Sequence, residues 1–321
     1  MASNVLIQTN DLHVRFVRQK QLDIFAVRSL NLEVHEKETL ALVGESGSGK
    51  TTTGHALVRL LQPESGTIRF EGEDVSRIRG KRLERYHSRA QLIFQDPFAS
   101  LNPFHTVSYH LQRPLRRLGH LSPKRAREVC HDLLAQVGLT PTATFENKYP
   151  HELSGGQRQR VAIARALAAD PVFIVADEPI SMLDVSLRAG ILHLLESLQA
   201  DQGLSYLYIT HDLASARYLA QRIAVMYGGS LVEIAPAADL VQAPAHPYTQ
   251  LLLQASSSSW GQDLAPLPEK HPGAPDLTIT RKGCPFAPRC LHAMKKCEQE
   301  MPELIPVASD HEAACFLVSS S

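Results

Sequence analysis

Residues 40–57 read Leu40-Ala41-Leu42-Val43-Gly44-Glu45-Ser46-Gly47-Ser48-Gly49-Lys50-Thr51-Thr52-Thr53-Gly54-His55-Ala56-Leu57. The apolar run Leu40 to Val43 predicts a buried strand, and a helix is expected from Thr51 to about Leu61. Between them Gly44 to Thr51 fits the pattern G-x-x-x-x-G-K-[ST], in the strand-to-helix setting that the pattern requires. Glycines at 44, 47 and 49 let successive backbone N–H groups turn inward around phosphate oxygens, and the helix start adds positive potential. The Lys50 ammonium neutralises β- and γ-oxygens, and the Thr51 hydroxyl suits Mg²⁺. An ordinary Gly-Ser turn would match this pattern by chance in a chain of this length on the order of 1% of the time. The phosphate-binding reading is therefore preferred.

Working outward, 321 residues with 44% hydrophobic content provide ample material for a buried core. The 33 basic and 33 acidic side chains cancel, so no overall field draws the chain to nucleic acid or to an anionic membrane surface. No apolar run approaches the roughly 20 residues that span a bilayer, and Met1 to Gln8 lacks the features of a secretory signal. A reducing cytosolic setting is expected.

Apolar runs alternate with amphipathic ones, as in a mostly parallel sheet covered by helices, so the fold class is α/β. Val172 to Ala176 and Tyr206 to Ile209 are further expected strands. Residues 96–170 are mainly helical in pattern and rich in Arg, with turn signals at Asn102-Pro103 and Ser122-Pro123, and they read as an inserted helical subdomain. The core is then 1–95 with 171–255. A Ser- and Pro-rich linker is expected at 256–280, followed by a small Cys-bearing module at 281–321.

Two more signals bear on chemistry. The run Val172-Phe173-Ile174-Val175-Ala176 ends in Asp177-Glu178, which brings two carboxylates to the sheet edge where ligands of such folds bind. Asp177 suits a Mg²⁺ shell and Glu178 suits polarising an attacking water; without a phosphate loop the pair would read equally well as solvated loop acids. Leu153-Ser154-Gly155-Gly156-Gln157 precedes an amphipathic stretch from Arg158 to Leu167, placing Ser154 and the glycines at a helix N-terminus. This is either a second phosphate site or an ordinary capped helix.

In that order and spacing, the three motifs resemble those of the ABC ATPases over about the first 255 residues. The resemblance implies a P-loop NTPase core with an inserted helical subdomain, which binds ATP with Mg²⁺ and hydrolyses it. It also implies a head-to-tail dimer in which ATP lies between one subunit's Gly44, Ser46, Gly47, Gly49, Lys50, Thr51 and Thr52 and the partner's Ser154, Gly155, Gly156 and Gln157. By the same resemblance Gln95 senses Mg²⁺ and water, His211 contacts the γ-phosphate, and Asp184 belongs to the loop after Glu178. Phe16 resembles the aromatic that stacks on adenine, though an aromatic in a short strand reads equally well as core. Ile180 and Met182 depart from the usual loop, where Thr or Val and Ala are common.

Within that family, Phe94-Gln95-Asp96-Pro97-Phe98-Ala99-Ser100-Leu101-Asn102-Pro103, Tyr149-Pro150-His151-Glu152 and His246-Pro247-Tyr248-Thr249 are similar to stretches of the second ATP-binding subunit of dipeptide and oligopeptide importers. The implied partners are a sister ATP-binding subunit forming a heterodimer, two transmembrane permease subunits and, indirectly, an extracytoplasmic substrate-binding protein, with no nucleic acid. The implied place is the cytoplasmic face of the inner membrane, and a groove beside Gln95, including Phe98 and Leu101, would receive a permease helix. The spacing of Cys284, Cys290, Cys297 and Cys315 is similar to the extension that ligates a [4Fe–4S] cluster in such subunits. Zinc is the rival, although C-x2-C pairs are missing, and a disulfide suits a reducing cytosol poorly. A different class of function, a soluble ABC ATPase serving translation, DNA repair or iron–sulfur assembly, would need no permease.

Overall fold

The computed structural model describes residues 4–17, 23–119, 121–257, 277 and 282–318, so apart from 256, 257 and 277 the expected linker lies outside the described residues. The chain forms two compact units, one of Met1–Ser76 with Tyr208–Ser321 and one of Arg77–Leu207. The first begins with β1 (Val5–Phe16), β2 (Ile24–His35), β3 (Thr39–Val43), α1 (Lys50–Leu57), β4 (Ser65–Phe70) and β5 (Glu73–Asp74). The second holds α2 (Lys81–Arg89), β6 (Ala90–Ile93), α3 (Pro97–Ser100), α4 (Val107–Arg117), α5 (Pro123–Gln136), α6 (Thr142–Glu146), α7 (Gly155–Leu167), β7 (Phe173–Asp177) and α8 (Val185–Gln202). The chain passes back to the first unit within β8 (Ser205–Thr210). It continues through α9 (Leu213–Leu219), β9 (Arg222–Tyr227), β10 (Ser230–Pro236), α10 (Ala237–Gln242), α11 (Pro247–Ser257), α12 (Lys295–Gln299), β11 (Ile305–Ala308) and β12 (His311–Ala313).

In the first unit β2-β1-β4-β5 form one antiparallel sheet, while β11-β12-β10-β9-β3-β8 run side by side in another. β3 pairs in parallel with β9, Leu40 opposite Arg222 through Val43 opposite Val225. Every residue of β3 is buried, which explains an unbroken apolar run in place of alternation: a parallel strand covered on both faces has no polar side. The expected helix after the loop stops at Leu57, four residues early. Arg59 there adopts a left-handed φ of 59°, and its guanidinium donates to the carbonyls of Val75 at 2.8 Å and Leu61 at 3.3 Å.

In the second unit β6 and β7 pair in parallel from Ala90 opposite Phe173 to Ile93 opposite Ala176. The helices start where their caps predict. Ser122 Oγ accepts from Arg125 N–H with Pro123 at the first turn of α5, and Thr106 Oγ1 accepts from Tyr109 N–H at the start of α4. α8 ends at Gly203 in the left-handed conformation, φ 67°.

The C-terminal part of the first unit is joined to its core through a buried polar centre. Glu233 on β10 accepts from His311 Nε2 at 2.8 Å, from Ala245 N–H at 2.8 Å and from His246 N–H at 2.9 Å. His246 is also buried, and its Nδ1 accepts the Tyr248 N–H at 3.0 Å. Burial lowers the His246 pKa from 6.5 to about 3, so the ring is neutral and its protonation opposes folding. The folded-state value is the depressed one, so this contribution to stability is complete above pH 6.5 and is lost as pH falls towards 3. Over that window the slope should be about 1.4 kcal/mol per pH unit from this group. His246→Asn, which keeps an acceptor but cannot titrate, should flatten the pH dependence of chemical denaturation by one proton.

Candidate functional site

The loop after β3 is held by backbone on two sides. Gly44 has φ 153°, and a Cβ there would lie 2.2 Å from the Met226 carbonyl oxygen; Gly49 has φ 105°, and its Cβ would lie 2.2 Å from the Ala26 carbonyl oxygen. No other residue fits either position without moving β9 or β2. Lys50 is 5% exposed, and its Nζ donates to the carbonyls of Gly44 at 2.7 Å and Glu45 at 2.8 Å. Ser48 N–H donates to the Glu45 carbonyl at 3.2 Å, and the Ser48 carbonyl accepts from Gly229 N–H at 3.0 Å. The Ser48 hydroxyl is buried without a hydrogen-bond partner. α1 opens at Gly49, which has no side chain to cap it, so its first amides face the concavity.

A buried ammonium and the amides of a helix start in a glycine cradle are the donor set that a polyphosphate satisfies. Around it Ser46, Gly47 and Thr51 are exposed and Thr52 is half-buried. His211 is exposed just past β8. The turn that carries it is built by Thr210 Oγ1, which accepts the Asp212 N–H at 3.0 Å, and by Asp212 Oδ1, which accepts the Ala214 N–H at 2.9 Å. Phe16 ends β1 opposite Ile24 and is 40% exposed.

In the second unit the parallel register of β6 and β7 brings Gln95 and the pair Asp177-Glu178 to one strand edge. Gln95 Nε2 donates to Glu178 Oε2 at 2.9 Å, and Asp177 is buried. Glu178 has φ 44°, an uncommon value for a residue with a Cβ. Its carbonyl accepts from Ser181 N–H at 3.1 Å and Ser181 Oγ at 3.0 Å, which closes the turn. In this turn Ile180 and Leu183 are buried while Met182 is 56% exposed, so the unusual isoleucine packs inward and the methionine faces solvent. Asp184 is exposed at the start of α8.

Ser154 caps α7 in a capping box. Its Oγ accepts the Gln157 N–H at 3.3 Å, and Gln157 Oε1 accepts the Ser154 N–H at 3.0 Å. A Cβ on Gly156 would meet Leu187 Cδ1 at 3.3 Å, whereas Gly155 is more open. The Arg158 guanidinium donates to the Leu153 carbonyl at 2.7 Å and 3.0 Å and lies 3.6 Å from the Phe98 ring centroid. Leu101 is 1% exposed, whereas Phe98, Phe104 and Tyr109 are exposed.

The iron–sulfur reading of Cys284, Cys290, Cys297 and Cys315 does not hold. Among the described residues no three His, Cys, Asp or Glu side chains form a group that could hold a metal ion, which removes the zinc alternative as well. None of the four is in a disulfide. Burial pushes the Cys284 thiol up to about 11, with Cys297 and Cys315 adding to the rise, and burial also raises the Cys315 thiol. Cys284 N–H donates to the Cys297 carbonyl at 2.8 Å, and Cys290 is buried.

Fold and loop together define an ATP-binding cassette. A solved dimeric ATP-binding cassette in a post-hydrolysis state, bound to ADP and phosphate, superposes with TM-score 0.66 at 28% identity, over 72% of this chain and 99% of that one. The ABC transporter family matches residues 27–181, and the oligopeptide/dipeptide transporter C-terminal region matches residues 232–297. The chain is 40% identical over 308 residues to the oligopeptide transport ATP-binding protein AppF of Bacillus subtilis, covering 94% of this chain and 92% of that protein. It is 47% identical over 253 residues to OppF of the same organism, covering 78% of this chain and 82% of that protein. The chain belongs to the family of ABC transporter ATP-binding proteins, in the oligopeptide-transport branch.

Sequence reasoning missed Ser48, Tyr248 and Arg289 as parts of the loop's surroundings. Ser48 carries a usable signal, since it lies inside the motif; the other two are distant in the chain.

The loop geometry separates two glycines. Gly47 has φ 80° but open space where a Cβ would stand, whereas Gly49 has none. Gly47→Ala should lower the stability of the free chain by about 1 kcal/mol through backbone strain, and Gly49→Ala should abolish ATP binding. Titration of the purified chain with a fluorescent ATP analogue, beside its thermal unfolding, checks both.

Proposed function

We propose that this chain is the ATP-hydrolysing subunit of an oligopeptide importer and that its phosphate loop, with Lys50 buried against the carbonyls of Gly44 and Glu45, receives the triphosphate. That buried ammonium within the glycine loop is the observation that carries the reading. Gly44, Ser46, Gly47, Gly49, Lys50, Thr51 and Thr52 bind phosphate, and Phe16 stacks on adenine. Thr51, Gln95 and Asp177 are the groups assigned to Mg²⁺, which supplies charge neutralisation on the β- and γ-oxygens.

Glu178 orients and polarises the attacking water, and the Gln95 amide fixes which carboxylate oxygen is left to do so. His211 holds the γ-phosphate. Ser154, Gly155, Gly156 and Gln157, with Asp184, serve a nucleotide bound by the opposing subunit of a head-to-tail pair; the dimeric state of the ADP-bound cassette supports this. We take the pair to be a heterodimer with a sister ATP-binding subunit, docked on two permease subunits at the cytoplasmic face of the membrane, with an extracytoplasmic binding protein delivering peptide. None of the described helices is long and apolar enough to cross a membrane. A soluble role in translation, repair or iron–sulfur assembly is not favoured, because the oligopeptide-transporter C-terminal region matches 232–297.

Glu178→Gln should retain ATP binding and lose turnover by roughly 10²-fold or more, the size of a lost general-base contribution. Lys50→Ala should lose both. ATPase and nucleotide-binding assays on the complex check this, and near-normal turnover in either variant would overturn the assignment.

A further inference from the structure

Glu45 occupies the second position of the phosphate loop, and it brings a carboxylate to a site that must accept a polyanion. An unpaired negative charge there would repel the ligand. The structure supplies a counter-charge from the far end of the chain. Arg289 Nη1 donates to Glu45 Oε2 at 2.8 Å and to the Tyr227 hydroxyl at 3.2 Å. The arginine side chain is 10% exposed and the glutamate 37%. Partial burial on the arginine side reduces screening relative to a surface pair.

The guanidinium is held from more than one direction. It lies 5.6 Å from the Tyr227 ring centroid and 5.7 Å from that of Phe286, cation–π distances that fix its plane. Phe286, buried, packs edge-on against Tyr227 at 5.3 Å and at a tilt against Tyr248 at 5.4 Å. Tyr248 in turn grips the same loop residue by its backbone: its hydroxyl accepts the Glu45 N–H at 2.8 Å. Burial raises the Tyr248 pKa, so the hydroxyl is neutral and adds no charge of its own. The segment that presents Arg289 is anchored by β12 paired to β10 and by the buried His311–Glu233 contact at 2.8 Å.

We propose that Arg289 is a positioning residue of the phosphate loop: it neutralises Glu45 and, with Tyr248, fixes the loop in the shape that accepts ATP, so that nucleotide affinity depends on the docked C-terminal segment. This rests on reading Gly44–Thr51 as the ATP site. The charge argument sets its own sign. Removing Arg289 leaves a bare carboxylate beside the triphosphate, and removing both charges leaves none.

The test is ATP binding by the full-length subunit, titrated with a fluorescent ATP analogue, with ATPase kinetics of the complex and thermal unfolding measured alongside. Arg289→Gln should weaken ATP binding about tenfold, a factor of ten in Kd being the scale of one lost charge compensation. The KM for ATP should rise in step while kcat at saturation stays within about twofold. Arg289→Lys should bind nearly as the parent does, and Glu45→Gln in the Arg289→Gln background should recover most of the loss, which a merely structural defect would not allow. Unchanged ATP affinity in Arg289→Gln, with Lys50→Ala still abolishing binding, would overturn the inference and leave the loop assignment standing. A loss in Arg289→Gln that Glu45→Gln fails to relieve would overturn it as well. ATP binding that survives Lys50→Ala would sink the loop assignment itself.

Discussion

An ammonium group removed from water must find oxygen atoms, and the Lys50 side chain finds them in its own loop. The carbonyls of Gly44 and Glu45 turn towards its Nζ, which is possible only because Gly44 takes a φ of 153° against the backbone of β9. Gly49 makes the same kind of approach to β2. The loop is thus a solvation shell made of peptide, with positive charge at its centre and amide donors around it. Everything that follows in the first unit, from the apolar strand β3 to the short helix α1, serves to keep that shell from collapsing.

The second unit solves a different problem, that of carboxylate orientation. The parallel register of β6 and β7 sets Gln95 beside Glu178, and the amide hydrogen bond at 2.9 Å commits one carboxylate oxygen. The left-handed Glu178, closed by Ser181, is local strain in the place where chemistry would need a directed side chain. The capping box of Ser154 and Gln157 closes the start of α7 in the same unit.

Much of this was legible beforehand. The strands expected at Leu40 to Val43, Val172 to Ala176 and Tyr206 to Ile209 are present with bounds shifted by about one residue, because unbroken apolar runs mark doubly covered strands. The end of α1 was not, since it depends on Arg59 reaching Val75 and Leu61. The cysteines were misread because spacing along the chain does not fix where side chains meet in the fold, and among the described residues no three potential ligands come together. Arg289 was invisible for the complementary reason: its partner Glu45 stands 244 residues earlier, and nothing local marks the pair.

The first unit is assembled from both ends of the polypeptide, with residues 77–207 between them. β3 has its neighbour β9, and Glu45 its hydroxyl partner Tyr248, only after most of the chain exists. On the ribosome the nucleotide loop therefore emerges early and waits, unable to take its working shape until the last quarter of the protein has been translated. A chain that stops before Tyr248 lacks the hydroxyl that accepts the Glu45 N–H, and one that stops before Arg289 lacks the guanidinium that meets the Glu45 carboxylate.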